Sequence, residues 1–216
     1  MASISEMVPD IRAHIPEIPS FIATREILRS AREFCEETRA WRYSFSLSTI
    51  ADEATYDLVS KAALTNVELV DVISIKNSDG GQPLSPKTFS WLDTNLSNWR
   101  SESATEATYY VLDSNNTIRL VYTPDAAVTD KYYVRMAVKP LLTSESISDI
   151  IENKYDEQVI HGALSRLYFM PRKPWSDARL GAYHREQFEL SWPGARTSAA
   201  DEFQTGVIRK VKYGGL

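Results

Sequence analysis

A single cysteine, Cys35, stands in the 216-residue chain, so no internal disulfide can hold it together. That excludes a disulfide-stapled scaffold and suits a reducing compartment. Glycine is sparse, at eight residues. The Gly-Gly pairs fall in a turn-like stretch (Gly80, Gly81) and at the end (Gly214, Gly215), so no glycine-rich phosphate loop is formed. Neither His-Glu-x-x-His nor Cys-x-x-Cys occurs. No window approaches the roughly 18 apolar residues that a membrane helix needs. The first residues carry neither a basic start nor a signal-length apolar run, so no export address is expected. Basic residues are not in excess: 24 Lys and Arg stand against 29 Asp and Glu, a net charge of -5. General affinity for nucleic acid rests on clustered basic side chains, which this balance does not favour.

What is present is 43% hydrophobic and 25% charged residues, enough to bury a core of one or two domains. Residues 1–19 hold Pro9, Pro16 and Pro19 and read as an irregular arm with one short helical turn. From Ser20, a candidate N-cap, a helix is expected to about Ala40, with Ile27, Leu28, Ala31, Phe34, Cys35 and Thr38 along one stripe. The period then shortens. Segments 41–47, 55–59, 67–75, 107–112, 117–122 and 132–138 are rich in aromatic and β-branched residues, as strands are. The pair 107–112 and 117–122, joined by Asp-Ser-Asn-Asn, predicts a hairpin. Phe89, Leu92, Leu96 and Trp99 predict a short helix laid on the sheet.

Helical spacing returns after Pro140. Ser144 or Ser146 is expected to cap a helix to about Phe169, with Ile147, Ile151, Tyr155, Val159, Ala163 and Leu167 recurring every fourth residue. A second helix runs from Ser176 or Asp177 to Trp192, ended by Pro193-Gly194. The fold class is therefore α+β: an antiparallel-type helical bundle (20–40 with 141–193) interrupted by a β-rich insertion (41–140), with an arm before it (1–19) and an extended tail after it (194–216).

Among residues that might carry chemistry, Cys35 lies on an apolar stripe and reads as a small buried hydrophobe. His161 and His184 lie on different helices and lack a third ligand at metal spacing. Adjacent acids such as Glu36 and Glu37 do not face each other on a helix. Catalytic, cofactor and metal residues are accordingly none. Gly162, costly by about 1 kcal/mol inside a helix, points to close approach of another helix. The helix-packing set is Leu28, Ala31, Phe34, Cys35, Ile151, Tyr155, Gly162, Ala163, Leu167 and Phe188. The segment 195–216 has four basic residues (Arg196, Arg209, Lys210, Lys212) against two acidic (Asp201, Glu202), so it is +2 and the rest is -7.

Three segments together resemble the head–tail adaptor (connector) proteins of tailed phages, the group that includes tail tubular protein A and the gatekeepers of short-tailed phages. Residues 28–41 (LRSAREFCEETRAW) resemble their first core helix and 118–125 (IRLVYTPD) the hairpin of their inserted β region. Residues 160–175 (IHGALSRLYFMPRKPW) are similar to their long helix and the turn after it. The order is kept over roughly 20–192 and no segment is catalytic. The resemblance implies a structural protein of the virion neck, assembled in the host cytoplasm, with no membrane. It implies a ring of about twelve copies, closed by heterologous contacts, between the portal and a tail nozzle or tube protein. Double-stranded DNA would pass through it unread. The tail residues Arg196, Val207, Ile208, Arg209, Lys210, Val211, Lys212 and Tyr213 would dock the portal. Glu26, Glu33, Glu37, Glu152 and Glu157, read as solvent-side helix positions, are the candidate channel-facing acids, since an acidic wall lets DNA slide.

Two alternatives stay open on the sequence. One is a head-completion or tail-terminator protein of the same particle. The other is a soluble hydrolase or binding module with a scattered site that uses His161, His184 and Asp156.

Overall fold

A computed structural model describes residues 2–201; the tail positions from Val207 to Tyr213 lie outside the described residues. The arm is more structured than the prolines suggest. Strand β1 (Ala2–Ser3) leads into a 3-10 turn (Ile4–Met7) and helix α1 (Val8–His14), which carries Pro9 in its first turn, where the missing N–H costs nothing. Ile4, Met7, Val8, Ile11, Ile15 and Ile18 are all buried in the main core.

Helix α2 (Ser20–Thr38) starts after an extended Pro19 and ends at Arg39 in the left-handed region (φ 53°, ψ 35°). Ser20 is the first helical residue and not the cap: its hydroxyl accepts from Arg12 Nη2 at 2.7 Å and so ties the arm to the helix. The apolar stripe is buried throughout, with Ile27, Ala31, Phe34 and Cys35 fully enclosed.

The β region forms two main sheets. Strands β2 (Arg42–Thr49), β4 (Val67–Asn77) and β10 (Val128–Pro140) make an antiparallel sheet with β10 in the centre. Along β10, Tyr132, Val134, Met136 and Val138 are buried, and register shifts at Arg135/Met136 and Ala137/Val138 bend it against β4. Strands β3 (Thr55–Asp57), β5 (Ser85–Pro86), β7 (Tyr109–Ser114) and β8 (Thr117–Val121) make the second sheet, in the order β3-β8-β7-β5. β7 and β8 form the expected hairpin. Segment 55–59 is strand only to Asp57. The Asp57 side chain accepts from Ser60 N and turns the chain into a one-turn helix, α3 (Leu58–Lys61). Helix α4 (Phe89–Asn95), capped by Thr88, is shorter than the spacing to Trp99 suggests; Leu92 on it and Trp99 in the turn after it pack on Val111 and Val121 in a small separate cluster. Strands β6 (Ser103–Ala104) and β9 (Thr123–Pro124) pair in parallel.

Segment 144–147 does not join the next helix. Strand β11 (Ser146–Ile147) pairs with β1, Ile147 opposite Ala2, and Ser148 caps α5 (Asp149–Tyr168). Within α5, Tyr155 departs from helical geometry (φ -134°, ψ 18°) where its ring packs on Phe34 at 5.0 Å. Helix α6 (Ala178–Ala200) is capped by Asp177 and continues past Pro193 and Gly194. Proline there removes one helical hydrogen bond, but Ala195 and Ala199 beyond it are buried and keep the last turns helical. One hydrophobic cluster joins the arm, α2, α5, α6 and the three-stranded sheet.

Candidate functional site

The residues that the sequence marks out gather on the seam of α2, α5 and α6. Ser30 Oγ donates to Val159 O at 2.7 Å, and Phe34 meets Tyr155 four residues further along α2, so α2 and α5 run antiparallel. Gly162 lies where all three helices meet. A Cβ on it would stand 2.1 Å from Ser30 Oγ and 3.0 Å from the Phe188 ring, so only glycine fits. Leu28, Ala31, Ile151, Ala163 and Leu167 are buried in the same core, and Phe188, fully buried on α6, packs its ring 6.2 Å from Phe34. Burial pushes the Cys35 thiol up to about 12. It is a packing residue with no thiolate at neutral pH.

A charged layer overlies this seam. Glu33 of α2 accepts from Arg166 of α5 at 2.5 Å and from Arg185 of α6 at 2.7 Å, so one carboxylate ties three helices. Glu37 pairs with Arg196 at 2.6 Å. Arg196 is thus helical and bound to α2, not part of an extended tail, because α6 continues to Ala200. Glu26 is corrected most. It is 1% exposed and bonded to Arg25 and Arg29, which neutralise it in place. Glu152 is half-buried, its carboxyl held above the usual range by burial and the nearby Glu6. Of the five candidate channel acids, Glu157 is the one left exposed.

His161 and His184 do meet, Nδ1 to Nδ1 at 2.8 Å. His14 joins them edge-on, and Tyr168 stacks on His184. Sequence reasoning missed this grouping, because nothing in residue spacing brings position 14 to 184. Asp156 is exposed on α5 and is not among the groups that act on either imidazole. The orienting partners are rings, and no nucleophile–base–acid arrangement results. Among the described residues, no group of three or more His, Cys, Asp or Glu side chains is placed to hold a metal ion, and no helix is long and apolar enough to cross a membrane.

No curated protein matches the chain. The family described as SU10 adaptor protein matches residues 2–210, from the arm past the end of α6. A match of that extent covers helical seam and β region alike, and the chain belongs to the SU10 adaptor family, head-to-tail connector proteins of tailed phages with a structural and not an enzymatic role.

Proposed function

We propose that this chain forms a closed adaptor ring, about twelve copies by the family resemblance, that joins the phage portal to the tail and surrounds the path of the DNA. The family match over residues 2–210 carries the reading. The construction of the helical part supports it. Glycine-tight packing at Gly162 and the Glu33 double ion pair make α2, α5 and α6 a rigid wall, and Phe169, Tyr183 and Leu190 stay half exposed or more on its outer side. Exposed apolar side chains of that size suit contact with the next copy. Residues 202–216 follow α6 with three basic residues against Glu202, and they are the segment we assign to portal docking. Among the acids, Glu157 is the position we assign to a DNA-facing surface, since the other four are buried or engaged.

The test is a mass measurement on the purified chain mixed with its portal. The full chain should appear as a ring on the portal. The chain ending at Asp201 should still fold but no longer bind. Portal binding by the shortened chain would refute the assignment of 202–216. Absence of any complex with the full chain would favour a tail-terminator or head-completion role on other partners.

A further inference from the structure

The three histidines of this chain come from α1, α5 and α6 and occupy one cluster. His161 and His184 face each other through Nδ1 at 2.8 Å. The His14 ring stands edge-on to His184 with centroids 5.6 Å apart, and Tyr168 lies parallel to it at 5.5 Å and 14°. Tyr183 packs edge-on against His184 from the same helix. A contact of that length between two ring nitrogens has room for one proton: one Nδ1 donates and the other must keep its lone pair. Protonating both imidazoles sets two N–H groups against each other, and His184, 4% exposed, has no water into which to turn.

The charged groups on the surrounding elements do not relieve this. On α5, Glu157 favours a proton on His161, while Arg166 is taken by Glu33 of α2. On α6, Arg185 is bound to Glu33 and Glu189. Arg12 of α1 is hydrogen-bonded to Ser20, and Glu17 and Asp177 line the adjoining cleft of about 560 Å³ with His14 and Tyr168. Among the described residues no carboxylate is hydrogen-bonded to any of the three imidazoles.

We propose that the three histidines form an acid-sensitive latch that pins the end of α1 to the α5–α6 hairpin. This goes beyond the adaptor reading and does not depend on it. Burial and the neighbouring imidazoles hold His184 down at about 4, and burial lowers His161 as well. The closed latch therefore binds fewer protons than the open one. It is at full strength above the ordinary histidine value of 6.5 and weakens as pH falls from there toward about 4. Over that window, opening rises by up to roughly 10²-fold. The opening takes residues 14–18 off the body, Ile15 and Ile18 leaving the main core with His14 while Ile4 and Ile11 stay in it.

Hydrogen exchange on the full chain reads this directly at Ile15 and Ile18, whose N–H groups bond to Ile11 O and Ile15 O. After correction for intrinsic rates, their protection should fall about 10- to 100-fold between pH 7 and pH 4.5, and at both pH values it should stay well below that of Ile27 and Ala31 in α2, which exchange only when the whole core opens. His184→Phe keeps a ring on Tyr168 but carries no proton, so it should cut that fall to under about 3-fold. His184→Gln, which keeps a hydrogen-bonding side chain toward His161 but does not titrate, should act likewise and serves if the first variant does not fold. Constant protection in the wild type, protection at Ile15 and Ile18 equal to that in α2, or a wild-type response in the folded variants overturns the latch.

Discussion

Replacing Gly162 with alanine tests the helical seam most sharply. Two opposing effects are expected. Alanine favours a helix interior over glycine by about 1 kcal/mol. Against this, the new methyl would sit 2.1 Å from Ser30 Oγ and 3.0 Å from the Phe188 ring, far inside contact distance, so both side chains must give way. Overpacking of this kind costs about 1–3 kcal/mol. Displacing Ser30 also breaks its bond to Val159 O, about 1 kcal/mol more. The clash wins, and Gly162→Ala should lose about 2 kcal/mol, a fall in Tm of roughly 4–8 °C for a chain of this size. Urea unfolding followed by tryptophan fluorescence, with calorimetry beside it, measures the loss. Adding Ser30→Ala removes the tightest contact, so the double variant should be at least about 1 kcal/mol more stable than the sum of the single effects. If Gly162→Ala is as stable as the wild type or more so, the three helices do not meet as described.

Glu33→Gln leaves Arg166 and Arg185 without their shared carboxylate. It should cost about 1–2 kcal/mol, discounted for partial exposure, with the difference shrinking in high salt when denaturant midpoints are compared. Cys35, buried with its thiol at about 12, should resist a disulfide reagent in native buffer at pH 8 and react fully in denaturant; rapid native labelling would contradict its placement. Pro193→Ala should stabilise the chain, by up to about 3 kcal/mol, because α6 is helical on both sides of it; a neutral or destabilising effect in thermal melts would mean that the helix ends there.

The main architecture was legible wherever one period ran long enough. The stripe Ile27–Ala31–Phe34 and the four-residue recurrence from Ile151 to Leu167 set the two principal helices, and Asp-Ser-Asn-Asn between β-branched runs set the β7–β8 hairpin. Misreadings arose where a distant segment decided the local structure. Ser146 and Ile147 carry helical spacing but are drawn into pairing with Ala2 and Ser3. Pro193-Gly194 is a strong stop, yet burial of Ala195 and Ala199 and the Arg196–Glu37 pair hold the helix beyond it. Glu26 looks solvent-facing by charge and becomes buried because Arg25 and Arg29 close over it. The reading of Gly162 needed only helix cost, while the histidine cluster needed three segments in register, which no single-sequence pattern encodes.

The adaptor reading is tested most directly by an image reconstruction of the virion neck. This chain should appear there as a closed ring directly beneath the portal, with α2, α5 and α6 forming its wall. A particle whose neck contains no copy of the chain, or holds it only as isolated subunits away from the portal, would contradict it.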